Sequence, residues 1–180
     1  MSENPTVPSE PGKHIADPRQ LLLDYLDYYR EVVVSKLAGL SEEELRGSRL
    51  PSGWAPVELI WHLAHVERRW LRWGFLGEEV EEPWADWFHG PSGPERWAVP
   101  DGVSTAEVLE TFHRYVADSR AITADVALET RAKGGGRFDP AGQAPAPALS
   151  WILFHLLQEY ARHAGHLDVV RELADGVTGE

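Results

Sequence analysis

Residues 149–175, LSWILFHLLQEYARHAGHLDVVRELAD, decide the fold. At about 100° per residue, Ile152, Leu156, Glu159, His163, His166, Leu167, Val170 and Leu173 fall on one face. That spacing predicts an amphipathic helix running from near Pro147 to about Asp175. With Glu159 set at zero, Ile152 and Val170 lie at about +20° and His163 at about +40°. Glu159 therefore points into the middle of the apolar stripe, where an ionised carboxylate needs a cation or a proton. His163, one turn on, is its natural companion.

Three further long helices follow from the same periodicity. Asp17 and Pro18 supply a cap and a first-turn proline. Leu22, Leu26, Tyr29, Val33, Leu37 and Leu40 then recur at three- and four-residue steps. Ser41 with Glu44 predicts a capping box for a short turn. The second long helix is expected from Ala55-Pro56 through VELIWHLAHVERRWLRWGFLG to about Gly77. A third follows the capping box Ser104/Glu107 and repeats Val108, Leu109, Phe112, Tyr115, Val116, Ile122 and Val126. Residues 1–16 read as a mobile tail and 17–176 as one domain, an all-α four-helix bundle. Residues 78–103, with Trp84, Trp87, Phe88, His89 and Trp97, form a long aromatic connection of a kind that is often functional. Residues 133–147, KGGGRFDPAGQAPAP, read as a flexible crossover.

On the second helix, Leu59, Leu63, Val66, Trp70 and Trp73 define the apolar stripe. His62 sits at its inner edge; His65 is expected to face outward beside Arg69 and Arg72. His62, Glu159 and His163 are thus the candidate metal ligands, a three-ligand set that leaves a position for water or substrate. Zn, Ni, Co and Fe all suit such donors. The competing reading is a set of core polar groups bonded only to one another. His155 and His166 share the face, as ligands, outer partners or substrate contacts, or as the lining of a polar bundle end. Arg162 is either a contact for a substrate carboxylate or a solvated arginine.

Composition narrows the chemistry. The 180 residues include no cysteine, so the protein supplies no disulfide, thiolate ligand or cysteine nucleophile. A net charge of −12 argues against nucleic acid or an anionic membrane as the main partner. The N-terminal stretch lacks the apolar core of a signal peptide, and a cytoplasmic protein is expected.

WAPVELIWHLAHVE and QEYARHAGHLD together resemble the paired motifs of the DinB-like metalloprotein superfamily. The match is closest to its actinobacterial branch, which includes mycothiol-dependent S-transferases and the metal-binding domain of mycothiol-dependent maleylpyruvate isomerase. It covers about residues 18–175. His62 stands at the family's His-Leu position and His163 at its final ligand. Glu159 replaces a common histidine, as in the isomerase branch. The resemblance implies an up-up-down-down bundle, often a homodimer, holding one divalent metal ion.

It also implies a metal-dependent transferase, in which a thiol cosubstrate of the mycothiol type attacks an electrophilic small molecule, as in detoxification. Trp84 and Trp87 either close over the substrate or pack over the bundle end, and His166 or His155 is the expected proton shuttle where water replaces the thiol. The alternatives are a non-catalytic metal- or small-molecule-binding bundle and a metal-dependent hydrolase.

Overall fold

The computed structural model describes residues 8–81, 88–90, 93–95, 97–138 and 145–178. Its long helices are α1 (Pro18–Ser35), α3 (Pro56–Arg68), α4 (Thr105–Thr123) and α5 (Leu149–Asp175), with a short α2 (Glu42–Arg46) between the first two. The expected caps are present. Asp17 accepts from the Arg19 backbone N–H at 3.0 Å, and the boxes Ser41/Glu44 and Ser104/Glu107 are closed in both directions. Beyond α5 the chain turns at Gly176, whose φ of 76° favours glycine. A small hairpin, β1 (Phe88–Gly90) with β2 (Gly93–Glu95), does not alter the all-α class.

The core is continuous. Leu22, Leu26 and Val33 of α1 meet Leu59, Leu63 and Val66 of α3, Val108, Phe112 and Val116 of α4, and Leu149, Ile152, Leu156 and Leu167 of α5. α1 packs chiefly on α5, and α3 packs on both α4 and α5. Between Pro56 and Glu67 every residue except Glu58 is buried. α3 is therefore the central helix, enclosed on two sides.

The helix directions correct the expected up-up-down-down order to up-down-down-up. Arg19, at the start of α1, donates to the carbonyl oxygens of Thr123, Ala124 and Val126 at the end of α4, so these two helices are antiparallel. The end of α1 meets the end of α5, where Arg171 Nη1 donates to the Lys36 and Ala38 oxygens at 2.8 Å each. Trp54 lies by His166 and Trp70 by His155, so α3 runs against α5. Arg68 with Tyr115 and Arg72 with Asp118 set α3 and α4 parallel. The 76–104 connection must therefore travel the length of the bundle, while the 124–148 connection leaves and returns at one end.

Residues 133–138 are docked, which corrects their reading as part of a flexible crossover. Lys133 N donates to Phe75 O at 2.9 Å and Arg137 N to Trp73 O at 3.1 Å. Those carbonyls belong to Arg69–Phe75, where α3 continues as a π-helix; Leu76 N bonds Leu71 O, five residues back. Gly136 makes this close approach possible. Its φ is 54°, and a Cβ there would lie 2.2 Å from Trp73 O.

Candidate metal centre

α3 and α5 cross with His62 opposite Glu159 and His163. One ligand atom from each residue lies within 4.8 Å of the others. His163 Nε2 is 3.2 Å from Glu159 Oε2, and His62 Nε2 is 3.8 Å from the same oxygen. His62 and His163 are buried, whereas the Glu159 side chain keeps 21% of its exposure, so the cluster opens on the carboxylate side.

Hydrogen bonding from His163 and the approach of His62 hold the Glu159 carboxyl far below the usual carboxylate range, against the opposing effect of burial. Burial pushes the His62 imidazole down to about 4, with Glu159 pulling the other way. At neutral pH the site therefore presents a carboxylate and a neutral imidazole, the protonation states a metal ion requires. His166 Nδ1 lies 3.2 Å from His163 Nδ1. With a metal ion bound, His163 would carry its proton on Nδ1, directed to His166, and turn its Nε2 lone pair to the ion, the outer support that metal-bound imidazoles commonly have. Two buried imidazole nitrogens and a carboxylate thus fit a divalent cation with an open position.

His155 Nε2 is 3.4 Å from Glu159 Oε1, on the open side. Burial lowers its pKa, as it lowers that of His166. Trp97 stacks on His62 with centroids 4.3 Å apart and planes 23° apart, and meets His163 edge-on at 5.3 Å. Trp54 sits against both Trp97 and His166. The aromatic connection thus returns to the site through Trp97. Trp84 and Trp87 lie outside the described residues. Arg162 is exposed on the outer face of α5, near enough to His166 to act on its charge.

His65 corrects its expected outward position. It is 2% exposed, with Nδ1 2.9 Å from Trp61 O and its ring against Trp61 and Tyr115. The stripe on α3 showed one buried face, but α4 covers a second. Trp61 and Trp70 are buried, while Trp151 is 53% exposed.

Sequence reasoning also missed a buried polar group beside the site. Arg30 donates through Nε and Nη2 to Glu67 at 2.8 and 3.0 Å, and Tyr160 OH donates to Glu67 Oε1 at 2.8 Å. A signal was available: Arg30 follows Leu22 and Leu26, and Glu67 follows Leu59 and Leu63, at four-residue steps. Opposite charges in two core stripes mark a pair.

Fold and site together define a helical bundle with an open His/Glu/His centre suited to a divalent metal ion. The family model for Mycothiol-S-transferase matches residues 21–176, and the chain belongs to that family. This agrees with the DinB-like resemblance of its motifs. A solved structure described as a conserved protein from Enterococcus faecalis matches with a TM-score of 0.61 and 19% identity, covering 91% of this chain and 100% of that one; it supports the fold alone. A comparison with curated proteins finds no match.

Proposed function

We propose that the protein transfers a low-molecular-weight thiol of the mycothiol type to an electrophilic small molecule, using a divalent metal ion held by His62, Glu159 and His163. The observation that carries this is the buried His/Glu/His cluster, open on one side, in a chain of the mycothiol S-transferase family. Zn or Ni suits two imidazoles and a carboxylate, with Co and Fe next. When bound, such an ion favours the thiolate form of a thiol at neutral pH.

The chain's own residues do the rest. His155, neutral because burial lowers its pKa, stands beside Glu159 and receives the thiol proton. The sulfur lone pair forms the new S–C bond, and the displaced electron pair leaves with the electrophile's leaving group. His166 keeps His163 oriented through its Nδ1 contact. Trp97 and Trp54 shield one side from water. The absence of cysteine is consistent with a thiol brought from outside. This function places the protein in the cytoplasm, where small thiols are kept reduced; among the described residues no helix is long and apolar enough to cross a membrane.

The test is metal content by mass spectrometry together with thiol consumption using mycothiol and a model electrophile. Wild type should retain about one equivalent of metal and consume the thiol, and Glu159→Ala should do neither. Turnover by wild type that persists unchanged in Glu159→Ala or after chelation would overturn the proposal.

A further inference from the structure

Two turns before Glu159, α5 carries Trp151, half in solvent. Its indole lies parallel to the His155 imidazole, with centroids 5.4 Å and planes 7° apart. Trp70, buried beneath, meets Trp151 at 5.6 Å and His155 at 4.3 Å. The Arg137 guanidinium covers the Trp70 ring at 4.3 Å. His155 Nε2 in turn reaches Glu159 Oε1. An aromatic shelf thus leads from the open side of the metal cluster to solvent, and its outermost member is a tryptophan that neither the core nor the cluster uses.

Such an indole needs a reason to be held flat and exposed. Trp70 and His155 fix it from below and beside, leaving it ready for a flat apolar partner. Trp70 Nε1–H, beneath it, is buried and has no hydrogen-bond partner among the described residues, the condition of a donor kept for a ligand or water oxygen. On the same side of α5, Phe154 is 61% exposed and continues the apolar surface beside Trp151, and the exposed Gln158 and Arg162 separate both from Val169.

We propose that this shelf is the subsite for the carbohydrate portion of the thiol cosubstrate, an inference that rests on the function proposed above. A mycothiol-type thiol carries its cysteinyl group on a glucosamine linked to inositol. The apolar C–H face of such a ring stacks on an indole, and its hydroxyl groups bond to surrounding polar groups. Trp151 lies eight residues before Glu159, about 12 Å along the helix axis. That separation suits a ligand with its sulfur at the metal cluster and its rings on the shelf. Trp151 selects the thiol and takes no part in bond making.

The experiment compares mycothiol with N-acetylcysteine, which has the same thiol and no sugar, in wild type, Trp151→Ala and Trp151→Phe. The expected result is that wild type favours mycothiol, and that Trp151→Ala reduces this preference in kcat/KM about tenfold, mainly through KM. Trp151→Phe should recover most of it. Equal losses with both thiols, or no loss with either, overturn the proposal. A Trp151→Ala protein that changes oligomeric mass and loses both activities together also overturns it, by making Trp151 an interface residue. A second arm needs no turnover: the thiol-free glucosaminyl-inositol is titrated into metal-loaded protein and followed by saturation-transfer NMR. Binding by wild type that is lost in Trp151→Ala supports the subsite even if no thiol is transferred. Thiol transfer by wild type without sugar binding sinks the subsite and leaves the transferase proposal standing.

Discussion

Two of the described glutamates lie inside this bundle, and they are satisfied in opposite ways. Glu67 on α3 is fully buried between Arg30, which grips both its oxygens, and the hydroxyl of Tyr160. Burial works against the Arg30 charge, but Glu67 outweighs it and the guanidinium pKa is raised. Tyr160 is likewise pushed well above its ordinary value, first by burial and then by Glu67, so it stays a donor. Glu159, one residue before Tyr160, has imidazoles around its oxygens among the described residues. Neutral imidazoles can donate to a carboxylate but cannot cancel its charge. The first carboxylate closes a structural contact between α1, α3 and α5; the second leaves a negative charge that suits a cation. A charge inside a core marks function when its partners leave it uncompensated.

Breaking the structural pair should have the largest effect. Glu67→Ala removes two of the hydrogen bonds of Arg30, which is 5% exposed and keeps its contact with Asp27, and should cost about 3 kcal/mol in denaturant unfolding. A loss below about 1 kcal/mol would show that Arg30 finds water, and that the two sites differ less than their geometry suggests.

Next is acid stability, where a third buried polar group acts. Burial lowers the His65 pKa to about 4, below its unfolded value near 6.5. The unfolded chain therefore binds the proton first as pH falls. Its stabilising contribution is intact above pH 6.5 and is lost through pH 4. The slope is about 1.4 kcal/mol per pH unit, on the order of 3 kcal/mol in all. Unfolding of metal-free protein between pH 7 and 4 should show this loss, and His65→Phe should flatten it. Equal slopes in the two proteins would remove His65 from the account.

A smaller effect is expected from the support of His163. His166→Phe should weaken metal binding about 10–100-fold, measured by competition with a chromophoric chelator. An unchanged affinity would mean that His166 does not orient the ligand.

The smallest effect sharpens the contrast most. Without metal, Glu159→Ala should cost about 1 kcal/mol at neutral pH, the worth of its hydrogen bond from His163, because no buried guanidinium is stranded. If instead it unfolds the metal-free protein as Glu67→Ala does, Glu159 belongs to the structural network.

Much of this was legible along the chain. The caps at Asp17, Ser41 and Ser104, the four long helices and the inward positions of His62, Glu159 and His163 all follow from local rules of capping and periodicity. His65 was misplaced because periodicity exposes the most apolar face of a helix, and α3 has neighbours on two faces. Gly134–Gly136 read as slack because glycine marks both flexible chain and tight approach, and only the carbonyl of Trp73 distinguishes them.

The sequence by itself determined which segments are helical, the main apolar stripe of each and the ligand types available to a metal ion, because each depends on residues within a turn or two of one another. Tertiary structure alone decided the up-down-down-up order, the pairing of Arg30 with Glu67 across 37 residues, the burial of His65 and the shelf under Trp151. These depend on which helix lies alongside which, and that choice is made by packing between distant segments, whose separation leaves no period in the chain.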